Sequence, residues 1–153
     1  DPRPGRPLEG MTPAHGLEPE GLEGLVGVVG VVAVGIDAVD VARMRSALDV
    51  TPSLIDRAFT ESERAYALRQ RDPAQRFAAR WAMKEAVVKC LGGGVPGIDL
   101  RSIDVDRGEG GEPSVRLSGR AAELAAQRGI VRWVVSMTHT DTTAMAIAVG
   151  LSA

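Results

Sequence analysis

A chain of 153 residues with 44% apolar content can bury one core but is too short for two, so a single folded domain is expected. Its 18 basic and 20 acidic residues leave a formal net charge of -2, which removes any whole-chain argument for a nucleic-acid or anionic-membrane partner, so an anion site has to be local. The one cysteine, Cys90, can form neither an intrachain disulfide nor a cysteine metal cluster, which fits a reducing compartment and makes the cytoplasm the default location.

Residues 1–24 are rich in Pro, Gly and Glu and read as a tail or linker, leaving 25–153 as the domain. The apolar run LVGVVGVVAVGI at 25–36 is β-branched and broken by glycines. It is well short of the ~20 residues that cross a bilayer. It also lacks the basic flank and cleavage site of a signal peptide, and reads instead as a buried strand. Helix starts follow at Thr51-Pro52, at Thr60 with Glu63 as a capping box, and at Asp72-Pro73, so residues 40–91 are expected to be mostly helical. After Gly92-Gly93-Gly94, SIDVDRGEGGEPSVRL predicts two strands joined by a glycine turn, and Ser118 opens another helix. VRWVVSM and TAMAIAVGL read as closing strands. This order predicts a compact single α+β domain with a largely antiparallel sheet packed against helices.

Three stretches carry chemistry. In RWAMKEAVVK, at about 100° per residue, Phe77, Trp81, Val88 and Leu91 share an arc into which Lys84 also falls, with Arg80 at one edge and Glu85 at the other. Arg76, Arg80 and Lys84 form a cationic i, i+4, i+8 row that an anionic ligand would relieve. The plain alternative is a surface pair between Glu85 and Lys89, with long basic side chains snorkelling past the core. In GIDAVDVAR, Asp37 ends a hydrophobic strand just after a glycine, where it either caps the next helix or ligates a metal. In SMTHTD, a polar cluster interrupts two apolar strands and forms either a hairpin turn or a pocket wall.

Taken together, GIDAVDVAR, RWAMKEAVVKCLGGG and VSMTHT resemble, in order and approximate spacing, the holo-acyl-carrier-protein synthase family of 4′-phosphopantetheinyl transferases, from about Val31 to the C-terminus. The resemblance implies transfer of phosphopantetheine from coenzyme A to a serine hydroxyl of an acyl carrier protein, releasing adenosine 3′,5′-bisphosphate, with magnesium as cofactor. A non-catalytic module binding coenzyme A or a nucleotide is the alternative. By the same resemblance Asp37 and Glu85 match the metal-binding carboxylates, and Arg80, Lys84 and Lys89 match positions associated with coenzyme A phosphates. Gly92, Gly93 and Gly94 would bring backbone N–H groups to the nucleotide, and Pro113 lies in the matching hairpin segment, where Glu112 replaces a frequent lysine. Ser136 and His139 would face the nucleotide and reaction centre. The proton acceptor is left open among His139, Glu85 and a metal-bound water. Arg43 matches the arginine that meets the carrier protein. Relatives of this short type assemble as homotrimers with active sites between subunits.

Overall fold

The computed structural model describes residues 30–153. The expected tail at 1–24, and residues 25–29 of the apolar run, lie outside the described residues. The element order is β1 (Val31–Asp40), α1 (Val41–Val50), α2 (Leu54–Ala58), α3 (Glu61–Leu68), α4 (Pro73–Cys90), β2 (Ile103–Arg107), β3 (Pro113–Leu117), α5 (Gly119–Gln127), β4 (Arg132–His139) and β5 (Thr143–Leu151). Strands β1, β5 and β4 form an antiparallel sheet in that order, and β2 and β3 form an antiparallel hairpin. The expected α+β class and both closing strands are therefore present.

Local signals explain where the helices begin. Thr60 and Glu63 form the reciprocal capping box that opens α3, and Pro73 sits at the start of α4, where its missing N–H costs nothing. Thr51-Pro52 precedes α2 without capping it, since the cap position is Ser53. The acid that caps α1 is Asp40, whose carboxylate accepts from the Arg43 N–H at 2.9 Å, so the strand runs three residues beyond Asp37.

Helix α4 lies across the sheet and is buried on nearly every side. Small residues make this possible, with Ala79, Ala82 and Ala86 on the helix and Ala144, Ala146 and Ala148 on β5 all buried. At Gly35 of β1 a Cβ would stand 1.9 Å from the Ala86 carbonyl oxygen, so only glycine allows this approach. Phe77 packs against Phe59 with ring centroids 4.7 Å apart, which joins α4 to the α2–α3 connection.

The described part of the apolar run, from Val31 onward, is not buried on both faces within one chain. Residues alternate along β1, and Val32, Val34 and Ile36 point away from α4 into an uncovered face that Val134, Met145 and Ile147 extend. A continuous apolar run is what burial on both faces requires, and here the second face is open.

The deepest polar contact joins Lys84 of α4 to Glu63 of α3, at 2.9 Å with both side chains fully buried. Lys84 Nζ also donates to the carbonyls of Leu100 at 2.8 Å and Ile103 at 2.6 Å. Glu63 in turn accepts from the backbone N–H groups of Thr60 at 2.8 Å and Val105 at 2.7 Å. All three ammonium protons are thereby used inside the protein. The reading of Lys84 as a phosphate ligand is corrected: it falls inside the apolar arc because it is part of the core.

Substituting Gly35 by Ala is expected to cost at least ~2 kcal/mol, because a backbone carbonyl cannot yield as a side-chain end can. Chemical unfolding checks this, and a variant as stable as the parent would show that α4 and β1 do not meet as described.

Candidate active site

Three elements meet at one end of α4. Asp37 lies on the face of β1 that packs on the helix, two residues beyond Gly35, so the contact that demands glycine also brings Asp37 to α4. Glu85 and Lys89 lie one turn apart on that side of the helix. Asp37 and Glu85 line a cleft of about 450 Å³ with Asp40 and Arg43. Its apolar wall is Val39, Met44, Leu54 and Trp81.

The electrostatics centre on a pair of like charges. Lys89 Nζ lies 3.0 Å from an Asp37 carboxylate oxygen and 2.7 Å from the Ile36 carbonyl, so Lys89 pairs with Asp37 rather than with Glu85 as the surface-pair alternative required. Burial first, and then the charge of Asp37, push the Glu85 carboxyl above its ordinary value, while Lys89 pulls the other way. Among the described residues no three His, Cys, Asp or Glu side chains gather as a metal cage. Two incompletely neutralised carboxylates opening on a cleft nonetheless fit a hard divalent cation that takes its remaining oxygens from water or phosphate.

The other expected residues lie elsewhere. Arg80 is 2% exposed and stacks on Tyr66, 4.2 Å from guanidinium carbon to ring centroid. Its Nε and Nη1 have no partner. It projects about 140° around the helix from Glu85. His139 accepts at Nε2 from Arg76 Nη1 at 3.0 Å, since a guanidinium can only donate, and the ring proton is thereby assigned to Nδ1. Arg76 precedes Glu85 by nine residues, about 13.5 Å along the helix. One chain thus holds His139 and the carboxylates apart.

Two expectations are corrected by geometry. Ser136 and His139 are three residues apart on a strand, so they face opposite sides of the sheet. Ser136 lines a shallow apolar hollow on the uncovered face with Ile36 and Ile147, and does not join His139. Gly92, Gly93 and Gly94 all adopt positive φ, but the Gly92 N–H bonds to the Lys89 carbonyl and the Gly93 N–H to the Val88 carbonyl, which closes α4 in a Schellman motif. Those two N–H groups are spent on the helix end, and Gly94 is the one of the three that the motif leaves out. Pro113 begins β3 and lines a separate cleft with Arg132 and Trp133. The sequence reading gave no role to Asp40 as a cap, to Gly35 as the spacer under α4, or to Arg76 as the partner of His139. The close spacing of Gly35 and Asp37 was the available signal for the second.

Raised in the folded state above 4.5, the Glu85 carboxyl keeps its proton longer than in the unfolded chain. Its contribution is therefore fully present below 4.5 and is lost as pH rises through the folded value. Glu85→Gln should flatten that decline and raise the melting temperature at neutral pH. Melting curves across pH check this, and a variant that keeps the parent's pH slope would remove Glu85 as its source.

A family profile described as the 4′-phosphopantetheinyl transferase superfamily matches residues 33–148. A holo-[acyl-carrier-protein] synthase of Clavibacter michiganensis subsp. michiganensis is 44% identical over 105 residues, spanning 69% of this chain and 82% of the relative. Among solved structures, the acyl carrier protein synthase of Mycobacterium tuberculosis is 38% identical with a TM-score of 0.64, covering 81% of this chain and 99% of that one. The holo-(acyl-carrier-protein) synthase of Bacillus anthracis, solved in complex with CoA (3′,5′-ADP), is 27% identical with a TM-score of 0.66, covering 80% of this chain and 98% of that one. The chain belongs to the 4′-phosphopantetheinyl transferase superfamily.

Proposed function

We propose that this protein converts an apo acyl carrier protein to its holo form, transferring 4′-phosphopantetheine from coenzyme A to a serine hydroxyl. The serine oxygen bonds to the phosphorus bearing pantetheine, the phosphoanhydride bond breaks, the serine proton leaves to a base, and adenosine 3′,5′-bisphosphate departs. The observation that carries the reading is the meeting of Asp37, Glu85 and Arg43 around one cleft, with Lys89 bonded to Asp37. Asp37 and Glu85 would hold Mg²⁺, which when bound supplies positive charge against the diphosphate. Lys89, half exposed and on a rigid helix, is placed to hold a phosphate oxygen. Arg43, on α1 at the cleft's rim, faces the route by which an acidic carrier surface would approach. A module that bound coenzyme A without turnover would have no use for a second carboxylate beside Asp37.

The finer reading is a homotrimer whose active sites lie between subunits, each copy contributing its 25–153 domain. Two observations support it. The outer face of the sheet exposes Val32, Val34, Ile36, Val134, Met145 and Ile147 side by side, the kind of apolar surface that marks a contact with another chain. Arg76 and His139 are also too far from Glu85 to serve the same cleft within one chain. In this reading His139 of one copy faces the carboxylates of another, where it accepts the serine proton or holds the nucleotide. Ser136, on the apolar face, belongs to the contact between copies. Arg80, with two unpartnered nitrogens, keeps the capacity to meet an anion if Tyr66 yields.

Mass spectrometry of an apo carrier protein incubated with coenzyme A and Mg²⁺ tests both parts. Asp37→Asn and His139→Ala are each expected to lower transfer at least ~10²-fold while remaining folded by circular dichroism. Mixing the two under conditions of subunit exchange should restore transfer, because a site formed by one intact half from each is then available. No transfer by the parent would overturn the function, near-normal transfer by Asp37→Asn would overturn its role as a metal ligand, and a mixture no better than its parts would overturn the shared site.

A further inference from the structure

Lys89 makes a contact that phosphate binding does not require. Its ammonium lies 3.0 Å from Asp37 and 2.7 Å from the Ile36 carbonyl oxygen, against the carboxylate it would be expected to leave open for a cation. Asp37 is only one-fifth exposed, so the ammonium covers part of what the metal would need. Glu85 sits in the same cleft, one helical turn before Lys89. Asp37, Glu85 and Lys89 together carry one net negative charge.

We propose that Lys89 is a tethered counter-ion that occupies the Asp37 carboxylate until a diphosphate draws it away, so that the divalent cation and the diphosphate bind together rather than in sequence. The inference rests on the assignment of Asp37 and Glu85 as the metal ligands. A free divalent cation has to displace a hydrogen-bonded ammonium from Asp37. A cation arriving with a diphosphate does not meet the same opposition, because the phosphate oxygens offer Lys89 an equivalent partner as it leaves. The exchange conserves the pairing of every charge: ammonium on carboxylate becomes ammonium on phosphate, and the vacated carboxylate receives the cation. The long, half-exposed Lys89 side chain, anchored only at the last turn of α4, can make that short swing without moving the helix. By thermodynamic reciprocity the cation then tightens diphosphate binding by the factor the diphosphate tightens the cation. The consequence is specificity: the cleft retains few bare cations and few bare phosphates, and fills with their complex.

The test counts bound Mn²⁺ by electron paramagnetic resonance, with and without inorganic pyrophosphate, in the parent and in Lys89→Met, Arg120→Met and Asp37→Asn. In the parent, pyrophosphate should tighten Mn²⁺ at least tenfold. Lys89→Met should bind Mn²⁺ without pyrophosphate about fivefold more tightly than the parent, the size expected of one partly exposed ion pair, and its coupling to pyrophosphate should fall by a similar factor. Arg120→Met, which removes an exposed cation on α5 outside the cleft, should leave Mn²⁺ affinity within twofold. Equal tightening in Arg120→Met, or none in Lys89→Met while Asp37→Asn loses Mn²⁺, would overturn the counter-ion role and leave the metal assignment standing. Failure of Mn²⁺ to bind the parent in either condition would overturn both.

Discussion

The fold turns on one buried ion pair. Glu63 and Lys84 are both withdrawn from water, and each is compensated by groups that no other arrangement would bring together: the N–H groups of Thr60 and Val105 for the carboxylate, and the carbonyls of Leu100 and Ile103 for the ammonium. Burial pulls the Lys84 ammonium below its ordinary value, and Glu63 pulls it back. A charged pair in such a place adds little over a well-packed apolar pair, yet losing either member leaves the other stranded, at about 3–5 kcal/mol. The pair therefore acts as a register pin, setting α3, the chain before β2, and β2 itself against α4.

With α4 pinned on that side, its opposite side is free to carry chemistry. Around one helix the charges divide by angle: Lys84 and Arg80 point into the α3 and hairpin side, while Glu85 and Lys89 point to the β1 side. The alanines between them let the helix lie close on the sheet, and Gly35 removes the last obstacle under Ala86. Asp37 is thus held against Glu85 by packing on both strand and helix, which keeps two like charges near each other at a cost the fold carries.

Much of this was legible in the sequence where the signal was local. Thr60 with Glu63, Pro73 and the glycine turn between β2 and β3 are short-range devices, and each sits where the pattern put it. The neighbourhood of Asp37 and Glu85 came through resemblance rather than periodicity. What failed was long-range. A helical wheel weighted by large apolar residues overlooked the face of Ala79, Ala82 and Ala86, because alanine reads as neutral until a glycine-bearing strand is laid against it. Lys84 looked like a ligand because its partner lies 21 positions earlier in another helix. Ser136 and His139 looked like one cluster until strand parity separated them. The β1 run reads as doubly buried, whereas in the single chain the face carrying Val32, Val34 and Ile36 is open.

The central claim is that α4 separates architecture from ligand binding, with Lys84 on one side of that division and Lys89 on the other. Equilibrium unfolding and coenzyme A titration of Lys84→Met and Lys89→Met, read side by side, address it most directly. The account predicts that Lys84→Met loses about 3–5 kcal/mol of stability while its folded molecules bind coenzyme A within twofold of the parent, and that Lys89→Met keeps its stability and loses affinity at least tenfold. A Lys84→Met variant as stable as the parent, with affinity for coenzyme A reduced tenfold or more, would contradict it.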